Sequence, residues 1–143
     1  ILLALLDLLK KNTRQIFETE LNSDETSIRK IEHLFEKHFH SFAQMPSLAS
    51  VVFSEEIFRN EEKLIGKISE VIEYNNQTLI TILKDGQNAN EIRSDVDVDH
   101  LVIIIMGALR LFVKKWQLSG FAFDLEKEGK KLIQSLRHLI STK

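Results

Sequence analysis

Apolar and polar positions recur along this chain at helical spacing, most heavily over residues 101–113, where LVIIIMGALRLFV holds a single polar residue, Arg110. Wound as a helix, that stretch is apolar on every side and must be covered all round. A bilayer span needs about 20 such residues, so the expected cover is protein. Divided by angle, one face carries Val102, Ile105, Met106, Leu109, Phe112, Val113 and Trp116, and the other carries Ile103, Ile104, Gly107, Leu111, Lys114 and Leu118. The bulky aromatic face suits the chain's own core. The slimmer face has Gly107 at its middle, where the missing side chain admits a second helix, and it predicts an interface with another copy of the chain.

Five further segments share the helical period. The first runs from about Ile1 to Leu21, with Leu2, Leu6, Leu9, Ile16 and Phe17 on one stripe. The polar run Asn22, Ser23 and Asp24 marks its end, and Asn22 with Glu25 three residues on also has the form of a helix start. The helix that follows aligns Ile28, Ile31, Leu34, Phe35, Phe39 and Phe42 and stops at Met45, because a residue before proline is pushed out of the α region. Pro46 suits the first position of a short helix holding Leu48, Val51, Val52 and Phe53. After a bend over residues 54–60, the longest segment spans Glu61 to about Ala89, with Leu64, Ile68, Val71, Ile72, Asn75, Leu79, Ile82 and Leu83 at core spacing. Asn90 is the expected left-handed stop, with Gly86 as the alternative. Asp97 caps the apolar rod. The last helix follows Asp124 and aligns Leu125, Gly129, Leu132, Ile133, Leu136, Leu139 and Ile140.

These elements predict an all-α, six-helix bundle-like domain over residues 1–143. The last two long helices are expected to form a four-helix bundle with a symmetry mate, through Ile104, Gly107, Leu111, Lys114, Leu118, Gly129, Ile133 and Leu136. A single proline and five glycines agree with helices. The chain has no cysteine, so disulfides and thiolate metal sites are excluded. The formal net charge of -2 argues against a surface that grips nucleic acid. The opening ILLALLDLL lacks both a preceding basic region and a small-residue cleavage site, so it reads as a core helix rather than a secretory signal. Its leading end is expected to pack against a domain upstream.

No catalytic constellation is present. His33, Glu36 and His40 share a helix side, but the two histidines stand about 10 Å apart along the axis, too far for one ion. No serine lies in a G-x-S-x-G turn, no glycine-rich loop is available to phosphate, and the adjacent Glu55 and Glu56 point to different faces. Neither an enzyme nor a cofactor is expected. Phe35, Phe39, Phe42, Phe53, Phe58, Phe112 and Trp116 must converge in one core, and they read either as ordinary packing or as the wall of a cavity with Met45 and Met106 as adaptable parts.

The runs PSLASVVFSEEIFRNEEKL from Pro46, GQNANEIRSDVDVDHLVIIIMGALRLFVKKWQLSG from Gly86 and FDLEKEG from Phe123 resemble the regulatory half of TetR-type bacterial transcriptional regulators. The order of S-E-E-I-F-R-N, E-I-R-x-D-x-D, Gly107 with Leu109 and Trp116, and F-D-L-x-x-x-G carries the resemblance. It implies a helical body that binds a small effector and dimerises, downstream of a helix-turn-helix head that this chain lacks. Effector contacts would come from Phe39, Phe42, Phe53, Phe58, Met106 and Leu109. The resemblance implies a cytoplasmic homodimer with a hydrophobic or amphipathic effector, no membrane partner, and DNA contacted only through the head. A purely structural dimerisation module is the alternative.

Overall fold

The structure, a computed structural model, describes residues 2–52 and 62–142. Phe53, Phe58 and the S-E-E-I-F-R-N run lie outside the described residues, as do the side chains of Leu2, Val51, Val52, Leu64 and Ile68. Six helices are described: α1 (Leu2–Leu21), α2 (Ser27–Gln44), α3 (Pro46–Val52), α4 (Glu62–Asn88), α5 (Val98–Leu118) and α6 (Leu125–Ile140). Among the described residues the fold is all-α apart from one isolated bridge between Ile92 and Ser141.

Local chemistry sets most of the boundaries. The second helix begins later than Asn22, because Asn22 and Ser23 close the end of α1 through their amides on the Glu18 and Glu20 carbonyls. Thr26 caps α2 instead, accepting the Arg29 amide on its hydroxyl at 3.3 Å. Asp97 and Asp124 cap α5 and α6 by accepting the amides of Asp99 and Lys127. After α4 the chain reverses at Asn90, whose φ of 61° is left-handed. Gly86 lies inside the helix and is needed for proximity: a Cβ there would stand 2.5 Å from Ile92 Cδ1 and 2.8 Å from Ser27 Cβ.

At the centre is α2, packed on α1, α3, α4 and α6. Its six predicted core residues are all buried, and Phe39 meets Phe35 and Phe112 at ring-centroid distances of 5.9 and 5.5 Å. α1 contributes Leu6, Leu9, Ile16 and Phe17 to the core, and α4 contributes Leu79, Ile82 and Leu83. Ile72, expected inside, is exposed. The segment after α4 is pinned to the chain end by the Arg93 amide on the Ile140 carbonyl and the Thr142 amide on the Glu91 carbonyl.

Two buried carboxylates fasten α2 to its neighbours. Glu20 on α1 accepts from His33 at 2.9 Å and from Lys37, both on α2. Glu32 on α2 faces Arg29 at 3.3 Å and Arg137 of α6 at 3.6 Å. Each carboxylate is held by two partners, His33 and Lys37 for Glu20 and Arg29 and Arg137 for Glu32, and such pairing is the condition under which burial is tolerated.

Candidate functional site

The two faces assigned to the apolar rod separate in α5 as the periodicity requires. Val102, Ile105, Leu109, Val113 and Trp116 are buried, and Met106 and Phe112 are half-buried against the core. On the opposite side Ile103 is 68% exposed, Ile104 48%, Leu111 61% and Leu118 75%. Gly107 lies between them with no atom within 4 Å of where a Cβ would be, while Lys114 beside them is half-buried. An apolar row, interrupted by Lys114, therefore faces outward along about four turns of helix.

The part of that face expected from α6 must be corrected. Gly129, Ile133 and Leu136 do not line an outer surface: all three are buried against the chain's own core. The reason is steric as well as hydrophobic, because α6 lies so close to α2 that a Cβ on Gly129 would stand 2.4 Å from Phe39 Cδ2. What α6 shows outside is Leu139, 62% exposed, with Leu132 half-buried.

The residues expected around an effector are distributed differently from a pocket wall. Phe39, Phe42 and Leu109 are buried in the core, and Met106 packs on its edge. Among the described residues, two clefts border α1. The larger, about 580 Å³, lies between α1, α2 and α6; Asn12, Gln15, Thr19, Lys37 and Lys130 are among its walls, and of the expected residues that are described Phe39 alone reaches it. The smaller, about 220 Å³, lies between α1 and α4 and is lined by Lys10, Thr13, Arg14, Glu70, Val71, Tyr74 and Asn75.

Behind the smaller cleft is a buried polar chain that joins three helices. His38 Nδ1 stands 2.7 Å from the Leu34 carbonyl and so carries the ring proton as donor. Nε2 is then an acceptor, and the Thr13 hydroxyl donates to it at 2.9 Å. Thr13 Oγ1 in turn accepts from Asn75 Nδ2 at 3.3 Å. The chain ends at Asn75 Oδ1, which is buried and has no hydrogen-bond partner. Burial holds the His38 imidazole below the ordinary histidine range, the Leu34 bond opposing only in part, and Phe17 packs edge-on to it at 5.6 Å. Asn75 stands at core spacing in the sequence, and Thr13 and His38 interrupt apolar stripes there. Those interruptions were the available signal.

The histidines of α2 are otherwise occupied: His33 meets Glu20, and His40 Nδ1 lies 2.8 Å from Glu126 of α6. Among the described residues no group of three or more His, Asp or Glu is placed to hold a metal, and no helix is long and apolar enough to cross a membrane.

Known proteins place this arrangement. The family model described as "YsiA-like protein, C-terminal region", a TetR-type model, matches residues 9–140. The chain is similar to a probable acrEF/envCD operon repressor of Escherichia coli K12, 28% identical over 90 residues, which are 63% of this chain and 41% of that one. The chain thus spans about two-fifths of that relative's length. Among solved structures it resembles the transcriptional regulator FadR of Bacillus subtilis in complex with stearoyl-CoA, with a TM-score of 0.77 and 25% identity over 92% of this chain and 72% of that one. It shares its fold with the ketosteroid regulator KstR2 of Mycobacterium tuberculosis, with a TM-score of 0.80 and 17% identity over all of this chain and 70% of the other. These are regulators and not enzymes. The chain belongs to the TetR family of transcriptional regulators, in its YsiA-like C-terminal region.

Proposed function

We propose that this chain is the effector-sensing and dimerising part of a cytoplasmic TetR-type repressor, acting on DNA through a head carried by the full-length protein. The observation that carries the reading is the position of α1, bordered by clefts on two flanks. A molecule lodged in either cleft bears on the helix that leads toward the N-terminus, and a shift of α1 is what re-spaces two DNA-reading heads. Such coupling requires the effector to favour the shifted state, and a tenfold change in DNA affinity needs about 1.4 kcal/mol of difference. The outward row on α5 supports pairing, with Ile104, Gly107, Leu111, Lys114 and Leu118 at the contact.

The B. subtilis FadR structure holds stearoyl-CoA, which directs the effector class here toward amphiphiles with a long acyl chain. The rival reading, a structural dimerisation module, draws on the close packing of Phe39, Phe42 and Leu109. Thermal unfolding with stearoyl-CoA and shorter acyl thioesters separates the two. An effector at 100 times its dissociation constant stabilises by about 2.7 kcal/mol and raises the midpoint by several degrees; a midpoint unmoved across the series leaves the structural module.

A further inference from the structure

The smaller cleft and the polar chain behind it carry an inference that rests on the effector-sensing reading and deepens it. The buried members of the cleft wall are Thr13 and Asn75, and its outer members are Lys10, Arg14, Glu70, Val71 and Tyr74. The outer cations are engaged: Lys10 with Glu70 at 2.9 Å, and Arg14 with Glu18 at 3.8 Å and with the Tyr74 ring at 4.9 Å. An anion therefore finds its counter-charges already taken. What the buried part of the wall leaves unsatisfied is an acceptor. Each proton of the buried chain runs one way, from Asn75 Nδ2 to Thr13, from Thr13 to His38 and from His38 to the Leu34 carbonyl, and this fixes the Asn75 amide with its oxygen unpaired. A cavity of about 220 Å³ is much larger than the ~30 Å³ share of one water, so it has room for more than a bridging solvent molecule.

We propose that the α1–α4 cleft recognises a hydroxyl or amide N–H borne by an amphiphile, with Asn75 Oδ1 as the acceptor. Val71 and the Tyr74 ring supply apolar wall for the chain of such a molecule. Oδ1 is closed to water in this arrangement, so a ligand donor reaches it only as α1 and α4 part. The bond is then made in the displaced state alone, which is the differential binding a sensor needs. Thr13, bonded to both His38 and Asn75, is the point at which that displacement is felt on α1.

The test compares decanol with its isomer methyl nonyl ether, which has the same atoms and no donor, by calorimetric titration of the chain. Wild type is expected to bind decanol about tenfold more tightly, the worth of one buried hydrogen bond. Asn75→Leu is expected to bind the two alike, and Asn75→Asp, which keeps an acceptor oxygen, to retain the preference. Equal affinities in wild type overturn the proposal, as does a preference that survives in Asn75→Leu. Should Asn75→Leu fail to fold by circular dichroism, the wild-type ratio together with Asn75→Asp decides. If neither amphiphile binds while stearoyl-CoA still stabilises the chain, the cleft assignment falls and the sensing reading stands; if none of the three binds, both fall.

Discussion

Gly129 and Gly107 look alike in the sequence, each a small residue set into the apolar face of a late helix, and the structure gives them opposite roles. A methyl group at Gly129 collides with the Phe39 ring, whereas at Gly107 it meets nothing. Gly129→Ala is therefore expected to lower the denaturant midpoint by an amount equivalent to about 1–3 kcal/mol, the usual cost of overfilling a packed core. A midpoint unchanged from wild type would show that α2 and α6 are not in this contact. His38 provides a second residue-scale prediction. Its folded pKa lies below its unfolded value, so the stability tied to its neutral form is complete above about pH 6.5 and is lost as pH falls from there toward the folded value. The difference in unfolding free energy between wild type and His38→Leu should shrink as the solution is acidified through that window. A difference independent of pH would mean that His38 is not held neutral.

At the scale of elements, the sequence was legible wherever one residue settles a boundary alone. Pro46, Asn90, Asp97 and Asp124 each act through their own backbone or side chain, and the helices begin or end beside them. The run from Asn22 ends α1 as its polarity suggests, but Asn22 also reads as a cap for the next helix, because a polar cluster satisfies the requirements of a helix end and a helix start equally well. Only the amide bonds back to α1 show that the cluster ends one helix and leaves Thr26 to begin the next. The stripe on α6 misled for a different reason: periodicity identifies an apolar face without saying which partner covers it, and α2 takes Ile133 and Leu136. Likewise Phe35, Phe39, Phe42 and Trp116 were legible as core, but the clefts depend on gaps between helices that no spacing records. The cap at Asp124 gives this scale its prediction. Asp124→Ala leaves the Lys127 amide without its acceptor and is expected to cost about 1 kcal/mol, measured by thermal unfolding; no loss would place the start of α6 elsewhere.

At the scale of the whole molecule, the described residues turn their bulky apolar groups inward around α2 and leave an apolar row uncovered on α5. Ile103, Ile104, Leu111 and Leu118 are too many large exposed side chains on one helix face to read as scattered surface residues. Fully covering a residue of this size contributes about 1.5–3 kcal/mol. Two copies related by a twofold axis contribute the row twice, which is comparable to or larger than the ~4–15 kcal/mol cost of association. Gly107→Leu is expected to leave the fold of one chain intact, because its site is open, while preventing the close approach of paired α5 helices. This is the reverse of Gly129→Ala, which weakens the fold and spares the outer surface. The measurement that tests the account most directly is the light-scattering mass of the wild-type chain at micromolar concentration. Pairing through α5 predicts twice the 16.6 kDa of one chain, falling to a single chain in Gly107→Leu; a wild-type mass of one chain, with the α5 row in water, would contradict it.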